Sequence, residues 1–220
     1  MLGRFPNRNY WKKSKPMSPF DYLSDLGQRY PQLYPHTHAI QEAVQLMVTT
    51  FRQGGKMLTA GNGGSASDAE HISGELLKSF KKPQHPKDLP SNLAIHLQCA
   101  LPVIPLGSLQ AAYTAFSNDC DPQWAFAQLV YALGRKGDTL LAISTSGCSK
   151  NICCAAEVAK AKHMTVIGLS GNTGGDLKAL CDVCICVPET ETYKIQEFHL
   201  AIYHTLCLII EERMDSMTIV

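Results

Sequence analysis

The feature that most constrains this chain is a unit that occurs twice: a short apolar strand pattern, a turn of small residues, and the start of a helix. The first runs from Lys56–Ala60 into Gly61-Asn62-Gly63-Gly64-Ser65 and on through His71 and Glu75. The second runs from Asp138–Ile143 into Ser144-Thr145-Ser146-Gly147-Cys148-Ser149. Further strand patterns at Pro102–Leu106, Thr165–Leu169 and Asp182–Val187 alternate with helical ones at Leu109–Phe116, Trp124–Leu133, Asn151–Lys162 and Asp176–Ala179. Such alternation predicts an α/β fold: a doubly wound, mainly parallel five-stranded sheet with helices on both faces. Ligands in these folds sit at the carboxyl ends of the strands, where both small-residue turns fall.

Two helical patterns, Pro19–Tyr30 and Ala39–Gln53, precede the first strand, with Pro31 and Pro35 breaking the chain between them. The chain thus divides into a basic leader (1–18), an N-terminal helical extension (19–55) and the α/β unit (56–220), with 19–220 as one globular body. The helix after the first turn is expected to continue through Leu76, Leu77 and Phe80. Asn92–Gln98 fits either a helix or a strand, and a long helix from Lys194 to Met214 closes the pattern.

Charge excludes some classes. Twenty Lys and Arg stand against 19 Asp and Glu, so no basic excess points to nucleic acid. No apolar run reaches the roughly 18 residues that span a membrane. Nine cysteines without a secretory leader suit buried thiols in a reducing cytoplasm.

The candidate chemistry lies at the turns and on two helices. Glycines bring backbone close to a ligand, and amides at a helix start attract anions, so the first turn reads as an anion cradle opened by Ser65, Ser67 and Asp68. His71 and Glu75, four apart, share a helix face. The second turn offers the hydroxyls of Ser144, Thr145, Ser146 and Ser149, enough directional donors for a phosphate monoester. It is neither a Walker A loop nor a dinucleotide fingerprint. On the last helix Gln196 and His204 are two turns apart and project roughly to one side, while His199 lies at an angle to that line. Two chemistries are open to His71, Glu75, Gln196 and His204: a site for a borderline divalent ion such as zinc, or a metal-free acid/base pair. His36 with His38, and Cys181-x-x-Cys184-x-Cys186, are weaker metal patterns. Solvated histidines and buried thiols are the expected reading of each.

Three segments together resemble the sugar isomerase (SIS) domain family, and within it the phosphoheptose isomerases: Ala60-Gly-Asn-Gly-Gly-Ser-Ala-Ser-Asp-Ala-Glu-His71, Ile143-Ser-Thr-Ser-Gly-x-Ser-Lys-Asn151, and Ile195-Gln-Glu-x-His199 with His204. The resemblance covers roughly residues 37–214. It implies the SIS fold and interconversion of sedoheptulose 7-phosphate with D-glycero-D-manno-heptose 7-phosphate. It also implies zinc held by His71, Glu75, Gln196 and His204, with Glu75 and His204 as the acid/base pair. The implied substrate-binding residues are Asn62, Gly63, Gly64, Ser65, Asn118, Asp119, Ser144, Thr145, Ser146, Ser149 and Gln196. A homotetramer with active sites between subunits is expected, with a phosphosugar as the small-molecule partner and neither nucleic acid nor membrane. The chain departs from the family pattern at Tyr193, where an acidic residue is usual, and in the longer segment Lys81–Pro102. Both bear on which phosphosugar is taken. Other SIS members are non-catalytic regulatory or assembly proteins, or isomerases of other phosphosugars.

Overall fold

The computed structural model describes residues 18–215, so nearly all of the basic leader lies outside the described residues. The chain opens with α1 (Pro19–Arg29), started by a capping box in which Ser18 and Asp21 each satisfy the other's backbone amide. Pro31 and Pro35 do not leave an open loop. They are accommodated in a 3₁₀ helix, Pro31–His36, which leads into α2 (Thr37–Arg52). Then follow β1 (Met57–Ala60), α3 (Gly64–Leu76), a single turn α4 (Ser91–Ala94), β2 (Val103–Pro105), α5 (Gln110–Asp119) and α6 (Ala125–Leu133). The rest is β3 (Thr139–Ser144), α7 (Lys150–Ala161), β4 (Thr165–Ser170), α8 (Gly175–Leu180), β5 (Val183–Cys186) and α9 (Thr192–Asp215).

All five strands pair in parallel, in the order β2-β1-β3-β4-β5. Strand residues alternate between two cores, as the period of a strand requires. Met57, Leu141, Ile143, Ile167, Leu169, Val183 and Ile185 face the core built by α1, α2, α3 and α9. Leu58, Ala60, Leu140, Ala142 and Val166 face the core shared with α6 and α7. The N-terminal helices therefore belong to the main core, through Leu26, Ile40, Val44 and Met47, each at most 1% exposed. Asp138 fixes the entry to β3: its carboxylate accepts from the Lys56 and Arg135 amides and pairs with the Lys56 ammonium at 2.5 Å.

Three local expectations are corrected. The first-turn helix is capped by Gly63, not by Ser65, Ser67 or Asp68, which lie inside it. It stops at Leu76, because the next residues turn outward and the Leu76 carbonyl accepts from the Leu101 amide. Asn92–Gln98 holds no strand: only Ser91–Ala94 is helical, and the segment lies on the surface with Leu93, Ile95 and Leu97 exposed.

Candidate functional site

The strand order reverses between β1 and β3, and the two small-residue turns leave the sheet at that point. There the carboxyl ends of neighbouring parallel strands diverge to opposite faces and open a crevice. The turns are tied together across it. Asn62 and Asn151 exchange two amide hydrogen bonds, both at 2.9 Å. Gly63, at φ +55°, makes the turn into α3. Gly64 lies so close to α9 that a Cβ there would stand 2.5 Å from Gln196 Nε2. The absence of a side chain at position 64 leaves room for the Gln196 amide against the first turn.

In the second turn Ser144 Oγ donates to Ser149 Oγ at 3.0 Å, and Ser146 Oγ accepts the Cys148 amide at 3.1 Å. Gly147 has φ +70°, and a Cβ there would overlap the Gly174 carbonyl, so this turn packs directly on the one after β4. Beneath it Ser170 Oγ donates to the Ser144 carbonyl at 2.7 Å, and His199 Nε2 lies 3.3 Å from the Ser170 carbonyl. Burial holds the His199 imidazole down at about 4, so it is neutral at pH 7 and donates to that carbonyl. Thr145 and Ser149 are partly exposed and Ser146 is exposed, beside the start of α7 where backbone amides have no intrahelical acceptor.

The second cluster lies deeper along the same helices. α3 and α9 run side by side, so residues from each meet at the same level. His71 Nε2 stands 3.3 Å from Glu75 Oε1 and 3.4 Å from His204 Nε2. Donor atoms of His71, Glu75 and His204 all lie within 4.8 Å of one another, the one such set of three or more His, Cys, Asp or Glu side chains found among the described residues. Two ligands at about 2.0–2.1 Å from a tetrahedral zinc stand roughly 3.4 Å apart. The His71–Glu75 and His71–His204 spacings are close to that value, so the three side chains form a candidate site for a metal ion.

The surroundings tune this cluster. Burial and the neighbouring His71 lower the His204 pKa, against the pull of Glu75, so His204 is neutral and able to accept a proton at pH 7. Lys78 Nζ pairs with Glu75 Oε2 at 3.1 Å. The Phe80 ring packs on His204 with centroids 5.7 Å apart. Glu211 of α9 holds that segment in place by accepting the Phe80 amide at 2.7 Å and the Lys81 amide at 3.0 Å. Tyr203 Oη lies 2.9 Å from His71 Nδ1 and 3.4 Å from Asp68 Oδ1. Sequence reasoning missed Phe80, Lys78, Glu211, Asn151 and Tyr203, and took Asp68 for a helix opener. Asp68 had one available signal: it precedes His71 by three and so shares its helix face.

Other expected site residues are placed differently. Gln196 does not join the trio within one protomer. It lies against Gly64, and eight residues of helix put it about 12 Å up the axis from His204. Ser65 is buried, at 4% exposure. Asn118 and Asp119 end α5, exposed, and hydrogen-bond each other at 2.9 Å; no hydrogen bond links them to the other site residues among those described. Ser108, just before α5, donates to Glu70 at 2.8 Å. Cys153, Cys154 and Cys207 are buried as expected, whereas Cys99, Cys120 and Cys148 are exposed. Cys184 is pushed up by its Cys181 contact and by burial, and Cys186 is pushed up to about 11, mainly by burial, which makes both thiols unreactive.

The SIS domain family matches residues 21–171. The chain belongs to that family. This SIS domain protein is 39% identical to a phosphoheptose isomerase of Helicobacter hepaticus over 184 residues, 84% of this chain and 87% of the relative. It is 42% identical to one of Burkholderia pseudomallei over 172 residues, 78% of this chain and 80% of the relative. The solved phosphoheptose isomerase of Neisseria gonorrhoeae superposes with a TM-score of 0.71 at 32% identity, covering 90% of this chain and 95% of that one. That of Francisella tularensis gives 0.71 at 35% identity, covering 89% and 100%. The resemblance carried by the three sequence motifs, and the SIS fold it implied, are borne out.

Proposed function

We propose that this chain is a phosphoheptose isomerase, interconverting sedoheptulose 7-phosphate and D-glycero-D-manno-heptose 7-phosphate through an enediolate. The observation that carries the proposal is the convergence of His71, Glu75 and His204 from two helices. The similarity to named phosphoheptose isomerases over most of the chain supports the reaction class.

The reaction moves one proton between adjacent carbons and one between adjacent oxygens. Glu75 and His204 form the acid/base pair. One takes the proton from C1 of the ketose and returns it to C2, while the other carries the proton between O2 and O1. The neutral state of His204 leaves it able to accept first, and the Glu75 carboxylate, largely buried, is held in place by Lys78. His71, Glu75 and His204 would hold a zinc ion, with Gln196 as the fourth expected ligand. Bound there, the metal supplies a Lewis acid that polarises the carbonyl and favours the enediolate. Ser144, Thr145, Ser146, Ser149 and the α7 start anchor the phosphate, which fixes the reacting carbons. Asn62, Gly63, Gly64, Ser65, Gln196, Asn118 and Asp119 shape the sugar pocket, Ser65 from a buried position in the first turn of α3.

A homotetramer with sites completed between subunits is part of the proposal. Two observations support it: Gln196 stands two turns from the metal trio of its own chain, and no residue of α5 is buried. The division into helical extension (19–55) and α/β unit (56–220) within one body is likewise proposed, supported by the common core of α1, α2 and α9. A cytoplasmic location suits the nine cysteines. No helix among the described residues is long and apolar enough to cross a membrane.

Tyr193, exposed in the first turn of α9, favours a second reading in which a different phosphosugar is preferred. One experiment separates the readings. Zinc-loaded protein is incubated with sedoheptulose 7-phosphate and with a panel of five- to seven-carbon ketose and aldose phosphates. Preference for the heptulose supports the proposal, preference for another sugar supports the second reading, and no turnover of any contradicts both.

A further inference from the structure

His71 has two ring nitrogens, and only one can offer a lone pair to the cluster it shares with Glu75 and His204. The second, Nδ1, faces the Tyr203 hydroxyl at 2.9 Å. Tyr203 is 1% exposed and stacks edge-on to both His71 and His204, with centroids 5.3 and 5.0 Å away, so its hydroxyl has no freedom to turn to water. That hydroxyl also lies 3.4 Å from Asp68 Oδ1. The other carboxylate oxygen, Asp68 Oδ2, is buried without a hydrogen-bond partner among the described residues. The Tyr203 proton is therefore the one side-chain donor given to the Asp68 carboxylate. With Oδ2 already lacking a partner, loss of the donor at Oδ1 would leave the whole carboxylate without a side-chain hydrogen bond, so the Tyr203 proton belongs to Asp68 Oδ1. The tyrosine then has only a lone pair left for His71, and His71 must donate from Nδ1.

We propose that Asp68 and Tyr203 are positioning residues that lock His71 as the Nδ1–H tautomer, so that its Nε2 lone pair points at Glu75 and His204. This rests on the reading of His71 as a metal ligand. A metal-ligating histidine commonly hands its other N–H to a fixed acceptor, which sets the ring's orientation and raises its basicity. Here the acceptor is a phenol backed by a carboxylate, both drawn from the two helices that carry the ligands. The opposite arrangement, in which Tyr203 donates to Nδ1, would leave a proton on Nε2 aimed at Glu75 and block the site. The lock therefore keeps the site open for an ion before one arrives.

The test uses the metal-free full chain first. Nitrogen-15 NMR of its histidines is expected to show His71 as a single Nδ1–H tautomer in the wild type and as a mixture in Tyr203→Phe. The phenylalanine keeps the ring packing, so thermal unfolding is expected to change little. Competition with a zinc-binding dye is then expected to show about 10–100-fold weaker zinc binding in Tyr203→Phe. Asp68→Asn, which keeps an acceptor oxygen but no charge, should fall between the two. A His71 signal with the proton on Nε2 in the wild type, or the same tautomer and the same zinc affinity in Tyr203→Phe, overturns the proposal. Absence of zinc binding by the wild type would contradict the metal reading instead, and the tautomer measurement would still decide the lock.

Discussion

The Nε2 atoms of His71 and His204 stand 3.4 Å apart, although 133 positions separate the residues in sequence. Two parallel helices on one face of the sheet make this meeting, each entered from the carboxyl end of a strand. The same pairing brings Gly64 against Gln196 two turns earlier. The spacing along α3 and along α9 is thus matched level by level, and a change at either level should be felt by activity before it is felt by the fold.

Gly64→Ala tests the upper level. The added Cβ meets the tip of the Gln196 side chain, which can swing away, so the fold should lose no more than about 1 kcal/mol. Gln196 is displaced from the crevice, and kcat/KM for the phosphosugar is expected to fall at least tenfold. Steady-state kinetics beside a thermal melt checks both. Activity unchanged would remove Gln196 from the site.

The segment after α3 depends on one carboxylate. Glu211 accepts the Phe80 and Lys81 amides and so keeps the Phe80 ring on His204. Glu211→Ala leaves these amides without that partner and should cost about 1–3 kcal/mol. Hydrogen exchange should speed up at residues 79–82, and kcat should drop as His204 loses its cover. Unchanged protection at those amides would contradict this role.

His199 should set an acid limit on stability. It is held at about 4 in the fold, against 6.5 when exposed. The unfolded chain therefore takes up a proton near pH 6.5 that the folded chain refuses until about pH 4. Stability from this group is intact above 6.5 and declines as pH falls through that window, by roughly 3 kcal/mol in all. Denaturant unfolding at pH 7.5 and 4.5 measures it. His199→Gln, which keeps a donor for the Ser170 carbonyl, should flatten the dependence; an equally steep slope in that variant would assign it to other groups.

The hydroxyl turn predicts a split between binding and chemistry. Ser149→Ala removes the partner of Ser144 Oγ and one proposed phosphate donor. KM for the phosphosugar should rise severalfold or more with a smaller change in kcat, and inorganic phosphate should inhibit this variant less than the wild type. Equal inhibition of both would move the phosphate elsewhere.

Much of this was legible in the residues because local chemistry dictates it. The strand patterns alternate with helices, so the parallel sheet could be read directly, and His71 with Glu75 follows from helical spacing alone. His199, set at an angle to the line of Gln196 and His204, is a fully buried core residue beside Ile195 and Ile202. The misses have a common cause. Tyr203, Phe80 and Glu211 act through contacts between elements distant in sequence, and no period or cap announces which helices will pair. Gln196 shares a helix face with His204, but a face does not fix the level along the axis, and within one protomer the two lie two turns apart. Asp68 shows the same limit from the other side: a good helix opener by type, it lies inside α3 because the turn into the helix is made at Gly63, with its positive φ.

The most direct measurement compares turnover of sedoheptulose 7-phosphate by the zinc-loaded wild type and by Glu75→Gln, each shown to be folded by its melting curve. The wild type is expected to produce the aldose heptose 7-phosphate, and the variant to lose at least 10²-fold in kcat, the scale of a lost general acid or base. Equal turnover by the two proteins would contradict the proposed catalytic pair.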